Sequence, residues 1–183
     1  MSAIRDEDAI LVAEFTRSRR VEDFERLVER HQQMVFRVAV SVLGPNSEHD
    51  AEDVAQDVFL QVFRRIGDFQ GRSRFSSWLY RIAYNRALDR RRVIRAKPDS
   101  APIDTERPAP ASGRDILRSD AIADCLTRLP DAHRAAIHLH YWLGHTMEEI
   151  AQTLGIQSGT AKSWLFRARH LLARCLALKG VHS

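Results

Sequence analysis

Between Phe69 and Lys97 the chain interleaves aromatic side chains with arginines: Phe69, Phe75, Trp78, Tyr80 and Tyr84 among Arg72, Arg74, Arg81, Arg86 and Arg90–Arg92. Guanidinium groups contact phosphates, and aromatic faces are surfaces on which unpaired bases stack. Both together suit a nucleic acid that is being opened, and not only a closed duplex. The charge is concentrated there. Residues 64–97 hold eleven basic and two acidic side chains, a net of +9, whereas residues 1–63 carry −6 and residues 98–183 carry +1, so the overall +4 conceals the block.

A second constellation lies near the C-terminus. In TMEEIAQTLGIQSGTAKSWLFRARHLLA, a short helix with Ile150, Ala151 and Leu154 inward is followed by Gly155, an apolar Ile156, and a longer helix with Ala161, Leu165, Ala168 and Leu172 inward. This is helix-turn-helix spacing. Ser158, Thr160, Lys162, Ser163, Phe166, Arg167, Arg169 and His170 fall on the outer face of the second helix. The early ones could reach base edges in a major groove and the basic ones phosphates. An ordinary helical hairpin shares the spacing but has no need of the hydroxyl and basic face.

A third set is acidic. Glu52, Asp53, Gln56, Asp57 and Gln61 lie away from the apolar stripe of their helix. They read either as a solvated face, with acids where the helix dipole favours them, or as a surface for a basic protein partner.

Other chemistries find no footing. The eight histidines include no HExxH, and His138 and His140, two apart on a helix, point in different directions. They read as surface or core-edge residues. No phosphate loop, nucleophile elbow or pair of catalytic acids is present, so no catalytic residue, metal or cofactor is expected. Cys125 and Cys175 read as small apolar packers, since two cysteines without a CxxC indicate neither a disulfide framework nor a zinc ribbon. The N-terminus has acids where a signal peptide needs a basic start, and the longest apolar stretch, Met34–Leu43, contains Arg37. The expectation is a cytoplasmic protein without a membrane span.

The elements that must position these residues are helices, and the fold class is all-α. Phe24, Leu27, Val28, Val35, Val38, Ala39 and Val42 mark one helix ending near Gly44-Pro45. Ser47, with Asp50 three residues on, reads as a capping box opening a second. Its stripe is Ala51, Val54, Ala55, Val58, Phe59, Val62, Phe63 and Ile66. A third, from Phe75 to about Arg92, places Phe75, Trp78, Leu79, Ile82, Ala83 and Ala87 on one face and Tyr80, Arg81, Tyr84, Asn85, Asp89 and Arg92 nearer the other. Asp89 reads as a surface ion pair with Arg86 or Arg90. Trp78 could pack or meet a base, and Trp142 and Trp164 read as packing. Then come Ile116–Leu129, a helix from Pro130 to about Leu143, a T-x-x-E capping box at Thr146–Glu149, and a last helix capped by Ser158. Four of the six prolines fall in residues 98–113, where large apolar residues are almost absent, which reads as an extended linker. The expected organisation is a partly helical segment 1–20, a helical domain 21–97, the Pro-rich linker 98–113 and a second helical domain 114–179.

With these residues in hand, the chain resembles the extracytoplasmic-function (group four) sigma factors of bacterial RNA polymerase, from about Phe24 to Leu178. Three motifs carry the likeness: DAEDVAQDVFLQVFRRIGDF (50–69), FSSWLYRIAYNRALDRRR (75–92) and LPDAHRAAIHLHYWLGHTMEEIAQTLGIQSGTAKSWLFRAR (129–169). The resemblance implies that Asp53, Gln56, Asp57 and Phe59 grip the clamp helices of the polymerase's largest subunit. It implies that Gly71, Arg72, Ser73, Arg74, Phe75, Trp78 and Asn85 meet the unpaired −10 strand, with Arg86, Arg90 and Arg91 along its backbone. It implies that Ser158, Gly159, Thr160, Lys162, Ser163, Phe166, Arg167 and Arg169 read the −35 duplex. It also implies contact with the flap of the second-largest subunit, and an anti-sigma factor, often membrane-bound, that would hold the protein at the inner membrane face. The recognition helix departs from the usual pattern: Ala161 stands where Val is usual, Trp164 where Arg is, and Gln157 where Pro is frequent. A stand-alone helix-turn-helix regulator binding duplex as a dimer fits the linker and the aromatic–basic segment poorly. A nucleic-acid-modifying enzyme lacks its constellation.

Overall fold

The computed structural model describes residues 3–96 and 121–181, with side chains from Glu7 onward. The Pro-rich linker and the expected helix start at Ile116 lie outside the described residues. Within them every regular element is a helix: α1 Ala3–Ser18, α2 Val21–Leu43, α3 Glu48–Arg65, α4 Phe75–Ala96, α5 over residues 121–127, α6 Asp131–Ile137, α7 Met147–Leu154 and α8 Ser158–Leu178. A 3-10 turn, Ile66–Asp68, ends α3, and a π turn, His138–Trp142, ends α6.

The first four helices form a bundle because each carries one apolar stripe at helical spacing. Leu11, Val12 and Phe15 of α1, Phe24, Leu27, Val35, Val38, Ala39 and Val42 of α2, Ala51, Val54, Val58 and Val62 of α3, and Phe75, Leu79, Ala83 and Ala87 of α4 are all buried. The alanines let backbones approach, and Phe15, Phe24, Phe59 and Phe63 fill the wider end with ring centroids 5.0–6.4 Å apart. Helix α1 belongs to this core, since Phe15 is wholly buried, so the bundle begins well before residue 21. Asp8 fixes it to α2, accepting hydrogen bonds from Arg30 at 2.7 Å and His31 at 3.1 Å. Burial alone would raise the Asp8 carboxyl, but His31 and Arg30 together hold it below its usual value.

The caps behave differently at the two expected sites. Thr146 and Glu149 form the capping box at α7 reciprocally. At α3, Ser47 instead donates its hydroxyl back to the Gly44 carbonyl and caps nothing. Gln157, not Ser158, precedes α8, also without a side-chain cap. Gly155 takes the left-handed conformation (φ 68°) that the helix-turn-helix corner requires.

The second unit has a smaller core of Leu126, Leu129, Ala136, Ile137, Leu165 and Ala168. A disulfide joins Cys125 on α5 to Cys175 on α8, with Cα atoms 5.8 Å apart, correcting the reading of the cysteines as apolar packers. The two units are not apart. Ala135, Leu139, Ile150, Ala151 and Ala161 continue the core of the first bundle. Tyr80 and Tyr84, placed by periodicity on the outer side of α4, are buried under the second unit at 1% and 8% exposure. A single stripe rule fails on α4 because it has two partners, α2 and α3 on one side and the second unit on the other.

Candidate nucleic-acid and polymerase interface

Three surfaces carry the residues singled out in the sequence. On α3, Gln56 and Asp57 are exposed, Asp53 is half-buried, and Phe59 packs into the aromatic cluster. These acids also face α4. Arg90 binds Asp50 at 2.5 Å and approaches Asp53 at 3.5 Å, and Arg86 stands 3.9 Å from Asp57. The α3 acids thus partly neutralise the basic helix beside them. Asp89 pairs with Arg92 at 2.9 Å and not with Arg86 or Arg90. Arg86 and Arg90 are turned toward the α3 acids, which leaves Arg92 to Asp89.

Between α3 and α4 lies a cavity of about 350 Å³ lined by Gln61, Trp78, Arg81, Ile82, Asn85, Arg86 and Asp89. Trp78 is half-buried against Phe69 and Phe75, with ring centroids 5.5 and 5.8 Å away, and supplies an aromatic wall. Asn85 and Asp89 supply hydrogen-bonding groups of both kinds, and Arg81 and Arg86 supply charge. Such a cavity can take a planar, polar-edged ring whose backbone phosphates lie along the arginines. Gly71 (φ 66°) and Arg72 are exposed nearby, and Ser73 is half-buried. Phe75 is in the core at 4% exposure, which removes it from base contact in this state. Arg81, Ile82 and Asp89 were not singled out as site residues. Their i, i+4 relation to Trp78 and Asn85 was the available signal.

The third surface is α8. Lys162, Phe166, Arg167 and Arg169 are exposed, as is Gly159, while Ser158, Thr160 and Ser163 are half-buried at its first turns. Phe166 is 64% exposed although apolar. Trp164 packs on the small core beside His133, as its position predicts.

The second unit closes over α4 through polar contacts with no precedent in local sequence. Ser77 Oγ lies 2.6 Å from His145 Nε2, and Tyr80 Oη lies 3.2 Å from His138 Nδ1. Tyr84 donates to the Asp131 carbonyl at 2.6 Å, and Gln152 to the Arg72 carbonyl at 3.2 Å. Two of the arginines expected on DNA are held by carboxylates of the second unit, Arg74 by Glu149 at 2.7 Å and Arg91 by Asp131 at 2.8 Å. Arg134, 1% exposed, donates to the Ser41 and Leu129 carbonyls and to Asp131. His138 is fully buried, stacked on Trp142 with centroids 4.2 Å apart, which corrects its reading as a surface or core-edge residue. Burial, with Arg134 adding like charge, lowers its pKa to about 3, so the ring is neutral. Burial also pushes the Tyr84 hydroxyl up to about 12. No cluster of metal-ligating side chains occurs among the described residues, and no helix there is long and apolar enough to cross a membrane.

Comparison with known proteins places both units. Residues 27–96 match the family "Sigma-70 region 2", and residues 119–172 match "Sigma-70, region 4". The chain is 36% identical over 153 residues to the ECF RNA polymerase sigma factor SigM of Mycobacterium tuberculosis, covering 84% of this chain and 76% of that one. It is 31% identical to SigW of Bacillus subtilis, covering 84% and 88%. Among solved structures it is similar to CnrH in complex with the cytosolic domain of CnrY, with a TM-score of 0.71, 27% identity and coverage of 93% and 97%. It is also similar to RpoE in complex with the anti-sigma factor NepR from Bartonella quintana, with a TM-score of 0.65, 25% identity and coverage of 85% and 98%.

Proposed function

This chain belongs to the sigma-70 family as an extracytoplasmic-function sigma factor, and from that premise we propose how its own residues divide the work of initiation. As an alternative sigma factor it binds core RNA polymerase and promoter DNA, and the stand-alone dimeric regulator is not favoured. The chemistry of RNA synthesis is left to the polymerase. Asp53, Gln56 and Asp57 on α3 meet the clamp helices of the largest subunit, with Phe59 holding the helix in place from beneath. The cavity between α3 and α4 takes an extruded base of the −10 strand, with Trp78 as its stacking wall and Asn85 reading its edge. Extruding a base costs a few kcal/mol of unstacking, which the cavity contacts offset. Gly71, Arg72, Ser73, Arg74, Arg86, Arg90 and Arg91 follow the strand's backbone. Ser158 to Arg169 on α8 enter the −35 major groove, and the second unit also meets the flap of the second-largest subunit. An anti-sigma factor, held at the inner membrane face where it is membrane-bound, would act on the same surfaces.

The closed arrangement is then a resting form. Elements centred at −35 and −10 are separated by about 85 Å of duplex at ~3.4 Å per base pair. Closed up, a compact body of 183 residues is only roughly 40 Å across. Reading both elements therefore requires the second unit to leave α4 and frees Arg74 and Arg91 as it does so. Two weak sites on one tether gain effective concentration once the polymerase fixes their separation.

The cavity is the observation that carries the −10 reading, since it joins an aromatic wall, a polar edge and flanking arginines. The test is a pair of substitutions. Asn85→Ala, exposed and off the core, should slow promoter opening while core-polymerase affinity is unchanged. Asp57→Arg should weaken polymerase binding with the fold intact. An unaltered opening rate in the first, or unaltered affinity in the second, refutes the assigned role.

A further inference from the structure

Helix α8 is twenty-one residues long, yet its buried side chains, Ala161, Leu165 and Ala168, all lie in the first half. From residue 169 to 178 only Leu172, Cys175 and Leu176 are even half-buried. Two ties hold these last turns to α5: Lys179 Nζ on Asp124 at 2.9 Å and the Cys125–Cys175 disulfide. The pair is asymmetric. Cys125 is wholly buried, whereas Cys175 is partly open to solvent.

A protein that works on polymerase and DNA meets the reducing thiol pool of the cell, where disulfides are rare and, when present, are commonly redox-active. This step rests on the sigma-factor reading. We propose that Cys125 and Cys175 are a reversible thiol–disulfide site, opened through the Cys175 sulfur by a dithiol reductant, whose state sets how firmly the last turns of the recognition helix are held on α5. The exchange balances without further reactants. A reductant thiolate attacks Cys175 Sγ, the S–S bond breaks, and Cys125 leaves and takes up a proton. The reductant's second thiolate then attacks the mixed disulfide and releases Cys175, which is protonated in turn. Two electrons pass to the chain, and the reductant leaves as its own disulfide. Attack at Cys125 is blocked by its burial. Closing the bond removes unfolded conformations that would otherwise compete with the small second core, so the two redox states differ in stability as well as in covalent structure.

The experiment uses the full chain, equilibrated in mixtures of reduced and oxidised glutathione, acid-quenched and labelled with a maleimide for mass counting of free thiols. The expected result is one two-electron transition from disulfide to two thiols within the range those mixtures span. The reduced form should melt lower by about 10 °C. Amide exchange over residues 169–178 should quicken about tenfold or more, with α3 unaffected. Cys175→Ser should show the reduced behaviour in every buffer; should that variant fail to fold, reduced wild type supplies the same comparison. Two free thiols in oxidised glutathione, a disulfide that survives fully reduced glutathione, or unchanged melting and exchange on reduction would each overturn the proposal. None of these readouts uses DNA or polymerase, so a failure of the sigma-factor reading would show in core-polymerase binding and leave them untouched.

Discussion

On α8 the basic side chains Lys162, Arg167 and Arg169 are exposed, with no carboxylate in ion-pair range among the described residues. On α4, by contrast, Arg90 is engaged by Asp50 and Asp53, Arg91 by Asp131, and Arg74 in the preceding loop by Glu149. The face proposed for duplex is open, and the face proposed for the unpaired strand is guarded. Phosphates must displace carboxylates on the second face but not on the first. The cores differ in the same sense. The first bundle is filled by aromatic and branched side chains from four helices, whereas the second unit has a smaller core around Leu126, Leu129, Ile137 and Leu165, and a disulfide. A small core gains most from a staple and from docking on a larger neighbour.

The sharpest way to break this contrast is at Arg134. Arg134→Met removes the donors to the Ser41 and Leu129 carbonyls and should cost about 2–4 kcal/mol in chemical denaturation. A cost below ~0.5 kcal/mol would mean that closure does not depend on it.

Acid should act next. His138 faces Tyr80 and Tyr84 of α4, Arg134 of α6 and the Trp142 ring of its own turn. Its folded pKa of about 3 lies below the ordinary 6.5, so the unfolded chain binds the proton first as pH falls. Its contribution is complete above pH 6.5 and drains away toward pH 3, about 2–3 kcal/mol by pH 4.5. Denaturation curves at pH 7 and 4.5 should show that loss, and His138→Phe should flatten it. An equal loss in the variant would assign the acid sensitivity elsewhere, His133 being another ring whose pKa burial and the Arg167 charge lower.

Releasing the guard is a smaller effect with a direct readout. Asp131→Asn with Glu149→Gln should raise the free chain's affinity for a single-stranded −10 oligonucleotide by about tenfold. It should also steepen the salt dependence by ~1–2 in slope, as two arginines become available. Unchanged affinity would mean that the ion pairs do not compete with phosphates. Smallest is Lys162→Ala, expected to weaken duplex binding several-fold across sequences, reduce the salt slope by about 1, and leave single-strand binding alone. Loss of single-strand binding would erase the division between the two faces.

Much of this was legible in the chain. The stripes of α2 and α3, the helix-turn-helix and the Thr146–Glu149 cap follow from spacing of 3.6 residues and from the reach of one side chain to a neighbouring backbone. What the sequence hid is long-range. Tyr80 and Tyr84 look outward when α4 is read against one partner and prove buried against another. Cys125 and Cys175 are fifty residues apart, and nothing local tells a packed thiol from a bonded one. Ser47 has the right type and spacing for a cap, but its backbone (φ −112°, ψ 20°) is outside the extended region a cap needs, so its hydroxyl turns back to Gly44. Of the proposed contacts, the exposed basic residues on α8 could be read from type and period. The carboxylates that hold Arg74 and Arg91 could not.

The continuous core shared by the two units has a calorimetric consequence. Separating them returns Tyr80, Tyr84, His138 and Leu139 to water, and hydration of apolar surface raises heat capacity. Docking on the polymerase buries apolar surface and lowers it. The heat-capacity change of holoenzyme assembly is the difference of the two, so it should be less negative than the area of the final interface requires. The shortfall measures how much of the resting molecule had to be opened.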